Sequence, residues 1–155
     1  MHIRIIAVGN KMPRWVEEGV AEYAKRLPNE MKFQLVEITP GKRGKGLDVQ
    51  RAIDTESKAI LSAITSRDWV IALELTAKAW STEMLAKELS HWQQEGNDVV
   101  FLIGGPDGLS QDCLQRANQR WSLSALTFPH PLVRIILVEQ LYRAVSINTN
   151  HPYHR

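Results

Sequence analysis

The chain has 155 residues, of which 44% are hydrophobic, 23% charged and 7% aromatic, and it carries a formal net charge of +2. With nine glycines, seven prolines and one cysteine, this is the composition of an ordinary globular domain and excludes a disordered, collagen-like or disulfide-stapled chain. The balance of 19 Lys+Arg against 17 Asp+Glu also excludes a histone-like polycation, so nucleic-acid binding would have to come from local patches.

Residues 2–8 (His-Ile-Arg-Ile-Ile-Ala-Val) are rich in β-branched side chains and end at Gly9-Asn10, the pattern of a strand running into a turn. Pro13 then stands where a helix would begin. Trp15, Val16, Val20, Ala24 and Leu27 recur at helical spacing until Pro28 stops the run. Phe33 to Ile38 reads as a second strand. The basic, glycine-rich segment Pro40 to Gly46 follows as the one stretch that reads as mobile, and Asp48 opens a helix with Val49, Ala52, Ile53 and Ile60 on one side. Trp69 to Leu75 is a near-continuous apolar run, as in a strand covered on both faces.

Ser81 caps the next predicted helix, Glu83 sits near its positive end, and Gly96 closes it. Val99 to Ile103 is another buried strand and terminates in Gly104-Gly105-Pro106-Asp107-Gly108. Ser110 with Asp112 starts a short helix predicted to reach about Arg120, and Leu123 to Phe128 reads as a fifth strand or its exit loop. After Pro129-His130-Pro131 a long amphipathic helix is predicted from about Leu132 to Ile147. Strand and helix alternate five times, which predicts an α/β fold with a mainly parallel sheet and helices on both faces. No repeat or linker divides the chain, so residues 1–155 are expected to form one domain.

A chain of this length buries about 68–70% of its unfolded surface, enough for one sizeable core. The dense apolar run Leu132 to Val138 is broken by Arg134 and falls well short of the ~20 residues of a membrane span, and Met1-His2-Ile3-Arg4 lacks the h-region of a signal peptide. The lone Cys113 has no internal disulfide partner, and neither it nor the histidines show metal-ligand spacing. The expectation is a cytoplasmic protein with no metal and no membrane partner.

In open parallel sheets, ligands sit beyond the carboxyl ends of the strands. Three segments qualify: Leu73 to Thr76, Gly104 to Gly108, and Leu123 to His130. The glycine run matches neither the dinucleotide fingerprint nor a Walker loop, and a plain turn is its simplest reading. Arg134 and Arg143 stand on the last helix beside Glu139, where a solvated face with local ion pairs is expected. The five tryptophans are expected in the core or at an interface. The terminal His151-Pro152-Tyr153-His154-Arg155 is either a frayed end or a cluster suited to stacking on a base and contacting phosphate or a carbonyl.

Several of these segments, taken together, resemble one family. They are Phe101-Leu-Ile-Gly-Gly-Pro-Asp-Gly-Leu-Ser110, Trp121-Ser-Leu-Ser-Ala-Leu-Thr-Phe-Pro-His-Pro-Leu-Val-Arg134, Glu139-Gln-Leu-Tyr-Arg-Ala144 and Asn150-His-Pro-Tyr-His-Arg155. Ala7-Val-Gly-Asn-Lys-Met-Pro13 and Gly41-Lys-Arg-Gly-Lys45 add to them. The set is similar to the ribosomal RNA large-subunit methyltransferase H family, within the SPOUT methyltransferases, and spans nearly the whole chain. The resemblance implies an α/β fold with a C-terminal trefoil knot, which ordinary connection rules would reject. It further implies a homodimer that transfers methyl from S-adenosylmethionine to N3 of a pseudouridine in large-subunit (23S) rRNA, on the assembled ribosome.

The family's cofactor positions fall here on Leu73, Gly104 and the loop Leu123, Ser124, Ala125, Leu126, Thr127 and Phe128. An activated sulfonium donor needs no metal, so such an enzyme mainly aligns the reacting groups. N3 of pseudouridine is a weakly acidic imide, and removing its proton is favoured by positive charge near the flanking carbonyls. Tyr153, His154 and Arg155 are therefore expected to close over the target base, His154 as proton acceptor and Arg155 as stabiliser of the anion. Arg143 and His130 would line that pocket, and Lys42, Arg43 and Lys45 would meet RNA phosphates. The tail acts in its own site or in that of a second copy. Two other classes stay open at this point: a non-catalytic RNA-binding module on the same fold, and a small-nucleotide-binding protein of flavodoxin type.

Overall fold

A computed structural model describes all residues 1–155. Five strands form one parallel sheet: β1 (Ile3–Val8), β2 (Gln34–Ile38), β3 (Asp68–Leu73), β4 (Asp98–Ile103) and β5 (Gln119–Trp121). Their order across the sheet is β2-β1-β4-β3-β5. The helices are α1 (Arg14–Ala24), α2 (Val49–Ser62), α3 (Thr82–Glu95), α4 (Gln111–Arg116) and α5 (His130–Asn148), and no helix is long and apolar enough to cross a membrane.

Side-chain alternation along the strands assigns the two faces. Ile3, Ile5 and Ala7 of β1 join Phe101 and Ile103 of β4 against Val20 of α1, Leu85, Leu89 and Trp92 of α3, and Leu137, Leu141 and Ala144 of α5. On the opposite face Ile6, Val8, Val70, Val100 and Leu102 pack with Ile60 of α2 and Cys113 of α4. Helices therefore cover both faces. The starts of three helices follow from their caps: the side chains of Asp48, Ser81 and Ser110 accept the backbone N–H of Gln50, Met84 and Cys113. Gly96, in the left-handed region at φ 72°, ends α3.

The structure corrects the predicted elements in two places. The helix opened by Ser110 stops at Arg116 rather than near Arg120, and the fifth strand is Gln119–Trp121, so Leu123 to Phe128 is the loop leaving it. The cause is competition from β3. Asn118 exchanges two bonds with Val70, its N–H to Val70 O and its Oδ1 accepting Val70 N–H, both 2.8 Å. Gln119 Oε1 then accepts both indole N–H groups of Trp69 and Trp92. Second, α5 is not amphipathic. Apolar side chains surround it, with Leu132, Ile135, Ile136 and Ile147 left partly or fully exposed while the opposite side is buried.

The end of α5 is a Schellman motif. Asn150, at φ 59°, sends its N–H to Ile147 O at 3.2 Å, and His151 sends its N–H to Ser146 O at 2.8 Å. This turns the chain back so that a short 3-10 turn, Pro152–His154, lies against the helix. Asn150→Ala is expected to lower stability by about 1 kcal/mol, the cost of a Cβ in the left-handed region without the asparagine side chain, whereas Asn150→Gly leaves it nearly unchanged. Urea unfolding midpoints check both.

Candidate active site

The carboxyl ends of β3 and β4, the loop leaving β5 and the start of α5 converge on one cavity of about 480 Å³. It is lined from β3 by Leu73, Glu74 and Leu75, and from β4 by Ile103 with Gly104, Gly105, Pro106 and Gly108. Leu123, Ser124, Leu126, Thr127 and Phe128 close a second side, and Pro129, His130 and Val133 the third. Ala125 is exposed and does not reach the cavity. All other residues expected at a cofactor site meet here.

Two glycines make this shape possible. A Cβ on Gly104 would lie 2.6 Å from the carbonyl carbon of Gly108, and one on Gly105 would lie 2.9 Å from Val8 Cγ1. The turn is closed by Gly108 N–H donating to Gly105 O at 3.0 Å. The glycine run is thus a tight turn, and the same turn forms a cavity wall. On the other side Ser124 Oγ accepts Leu126 N–H at 2.9 Å and Ser122 Oγ donates to Ser124 O at 3.0 Å, fixing a loop whose Leu126 is 68% exposed.

His130 sits at the cavity's edge. Burial, and then the charge of neighbouring Arg134, lowers its pKa below 6.5, so the imidazole is neutral at pH 7. Arg134 was expected on a solvated face and is instead 1% exposed. Its Nη1 donates to Glu37 Oε2 at 2.6 Å and its Nη2 to Gly9 O at 2.8 Å. A guanidinium buried this deeply needs acceptors, and strands β1 and β2 supply them. Nothing near Arg134 in sequence signals those partners, which lie 97 and 125 residues away.

The basic loop is anchored rather than free. Arg43 Nη1 donates to the buried Glu56 carboxylate at 2.6 Å and Arg43 Nε to Asp107 at 2.8 Å, while Gly41 N–H also donates to Glu56 at 2.8 Å. The bond to Glu56, then that to Asp107, raises the Arg43 pKa further above its already high range. With two carboxylates on one guanidinium, Arg43 has little charge left to offer a phosphate. Lys42 and Lys45 are exposed. Lys42 also borders a larger cavity of about 670 Å³ between β2, this loop and α2, with Arg51 and Thr55 on its far side. That cavity meets the end of one strand, β2, whereas the smaller one lies beyond the carboxyl ends of two neighbouring strands, β3 and β4, where ligands of open parallel sheets sit.

The tail lies elsewhere. Tyr153 Oη donates to Glu139 Oε1 at 3.0 Å, its ring packs 4.5 Å from that of Tyr142, and the Arg143 guanidinium lies 5.0 Å over it. Arg143 is bound to Glu139 at 2.6 Å, the local ion pair expected from their spacing. Burial, then the bond to Glu139, pushes Tyr153 up to about 12, so its hydroxyl remains a donor. His154 Nδ1 is buried with no partner, and Arg155 is exposed. Neither Arg143 nor any of residues 151–155 lines the cavity. The helix positions holding the tail, 139 to 143, are about 9–15 Å along α5 from Val133 at 1.5 Å per residue. No group of three His, Cys, Asp or Glu side chains is placed to hold a metal ion.

The family model described as "Predicted SPOUT methyltransferase" matches residues 1–154. The chain belongs to the SPOUT methyltransferases. Two full-length relatives are both called ribosomal RNA large subunit methyltransferase H. The one from Chromohalobacter salexigens is 56% identical and the one from Marinomonas sp. (strain MWYL1) 55%, each over 100% of both chains. Among solved structures, "a probable methylase family protein" from Haemophilus influenzae Rd KW20 matches 99% of this chain and 70% of its own, with a TM-score of 0.62 at 11% identity. TrmJ from Z. mobilis ZM4 matches 91% of this chain and 69% of its own, with a TM-score of 0.54 at 13% identity. At those identities the two structures attest to a shared fold alone.

In this SPOUT chain the depressed pKa of His130 has a stability consequence. The unfolded chain binds the proton more readily, so stability is complete above pH 6.5 and falls as the pH drops through that value toward the lower folded one. An NMR titration should place the His130 midpoint below 6.5, and His130→Gln should unfold less steeply than the wild type as the pH falls below 6.5.

Proposed function

We propose that this SPOUT methyltransferase uses S-adenosylmethionine to methylate N3 of a pseudouridine in large-subunit (23S) rRNA, acting as a cytoplasmic homodimer on the assembled ribosome. The names of its full-length relatives support the rRNA substrate. The observation that carries the cofactor assignment is the mainly apolar cavity at the ends of β3 and β4, walled by a turn whose glycines leave backbone exposed to a ligand. Leu73, Leu123, Leu126 and Phe128 would hold the adenine, and backbone groups of Gly104 and the 123–128 loop would meet its polar edge. When bound, the sulfonium supplies an activated methyl group, so the residues here only align and deprotonate. The trefoil knot implied by the SPOUT resemblance belongs to the same reading.

The tail's separation from its own cavity favours action in the site of a second copy. Residues of α5 that remain partly or fully exposed, Leu132, Ile135, Ile136 and Ile147, give such a copy an apolar surface to meet. In that composite site His154 accepts the N3 proton, and Arg155, which is exposed, steadies the anion. Tyr153 and Arg143 hold the tail in shape, and the protonated Tyr153 hydroxyl acts only as a donor. His130, neutral at pH 7, faces the base from the cofactor side, and Lys42 and Lys45 take phosphate contacts.

The deciding experiment offers labelled S-adenosylmethionine with free rRNA, free large subunits or joined ribosomes, all from cells lacking the protein. Label should enter joined ribosomes at one pseudouridine. Cofactor binding with no transfer to any of the three would point to another RNA substrate, and neither binding nor transfer would favour an RNA-binding module. Gly104→Ala, whose Cβ meets backbone at 2.6 Å, should abolish cofactor binding in calorimetry. Mixing that variant with a chain truncated after Asn150 should restore transfer that neither has alone; absence of rescue would mean each tail serves its own site.

A further inference from the structure

Arg43 and the turn Gly104–Gly108 are 64 residues apart at Asp107, yet they are joined by a 2.8 Å ion pair. Asp107 is the one residue of that turn that does not line the cavity, because its carboxylate points outward to Arg43. The same guanidinium grips Glu56 on α2 through two nitrogens, at 2.6 and 3.3 Å. Glu56 is 2% exposed, and it also holds Gly41 N–H at 2.8 Å. Gly41 is itself pressed on α2, where a Cβ would lie 2.4 Å from Ala52 O. Glu56 Oε1 is 3.5 Å from the Cβ position of Gly105, so the carboxylate abuts the turn as well. A rigid helix, a basic loop and a cavity wall thus meet at one arginine.

We infer that Arg43 is a positioning residue for the cofactor-binding turn, a clamp between Glu56 and Asp107 that sets the shape of the Gly104–Gly108 wall from outside the cavity. It follows that Arg43 contributes to cofactor affinity without touching the cofactor, and that a displaced basic loop loosens the cavity. The inference rests on reading the cavity as the S-adenosylmethionine site. Arginine is required because its planar fork can address two carboxylates at once, whereas a lysine offers a single point charge. That difference separates a clamp from a phosphate contact, since Arg43→Lys preserves the charge that RNA would feel.

The test compares the wild type, Arg43→Lys, Asp107→Ala and the double variant, none of which leaves Glu56 without a cation by removing the Arg43 charge and the clamp together. Urea unfolding establishes that each is folded. Calorimetry with S-adenosylmethionine should show each single variant binding about three- to tenfold more weakly, and the double no weaker than the poorer single, the signature of one shared interaction. Hydrogen exchange without cofactor should show the Gly108 amide exchanging faster in all three variants. Arg43→Lys and Asp107→Ala binding within twofold of the wild type, with unchanged Gly108 exchange, would overturn the clamp. A wild type that binds no S-adenosylmethionine would sink the cofactor reading instead. Exchange alone then decides: faster at Gly108 in the variants supports the clamp, unchanged refutes it.

Discussion

Arg134 enters the interior on α5 with almost no contact with water, and a charge placed there has to be met by acceptors the rest of the fold provides. Glu37 and the Gly9 carbonyl meet it, which fixes the beginning of α5 at the carboxyl ends of β2 and β1. Much follows from this tether. It orients His130 one turn earlier on the helix, and through Pro129 it sets where the loop from β5 must arrive. Gly9 can serve because it has no side chain: its φ of +131° and the 3.0 Å approach of Arg134 Nη2 to its Cβ position leave no room for another residue. A broken buried pair of this kind typically costs about 3–5 kcal/mol, and the partial exposure of Glu37 lowers that figure here.

The helix so fixed has two ends with different tasks. Its first turn closes the cavity at the strand ends, and its last turns carry the tail, held by Glu139, Tyr142 and Arg143. A straight helix cannot bring its two ends together, so one copy of the chain presents the strand-end cavity and a polar, aromatic terminus at different places. Arg26 on the segment after α1 stacks over Tyr142 and Tyr153 and helps hold the terminus in that position.

How much of this was legible in the sequence depended on the range of the interaction. β-branched runs ending in glycine located β1 and β4, and Asp48, Ser81 and Ser110 announced their helices because capping is local chemistry. The short β5 was illegible: its Gln119 and Arg120 are polar, and it exists because Asn118 and Gln119 answer groups about 50 residues earlier. The burial of Arg134 and the carboxylate partners of Arg43 were hidden for the same reason, as both depend on residues brought near by the sheet. The strand-end glycines could be read as a turn from residue types alone, and their link to a cofactor came from the resemblance. The reversal of the tail at Asn150 has a local signal, an asparagine two residues before a proline.

The aromatic side chains beneath the loop Leu123–Phe128 form a chain of rings. Trp80 stacks on Trp121 with centroids 5.0 Å apart and planes within 13°, Trp121 meets Phe101, and Phe101 meets Trp92. The stacked pair borders a small cleft that shares Leu123, Ser124 and Phe128 with the larger cavity. Two indoles held this close couple their excited states, and what the pair adds to the circular dichroism depends on their separation and tilt. Any rearrangement of the loop that nudges Trp80 from Trp121 is thereby converted into an optical signal, with no label attached to the chain.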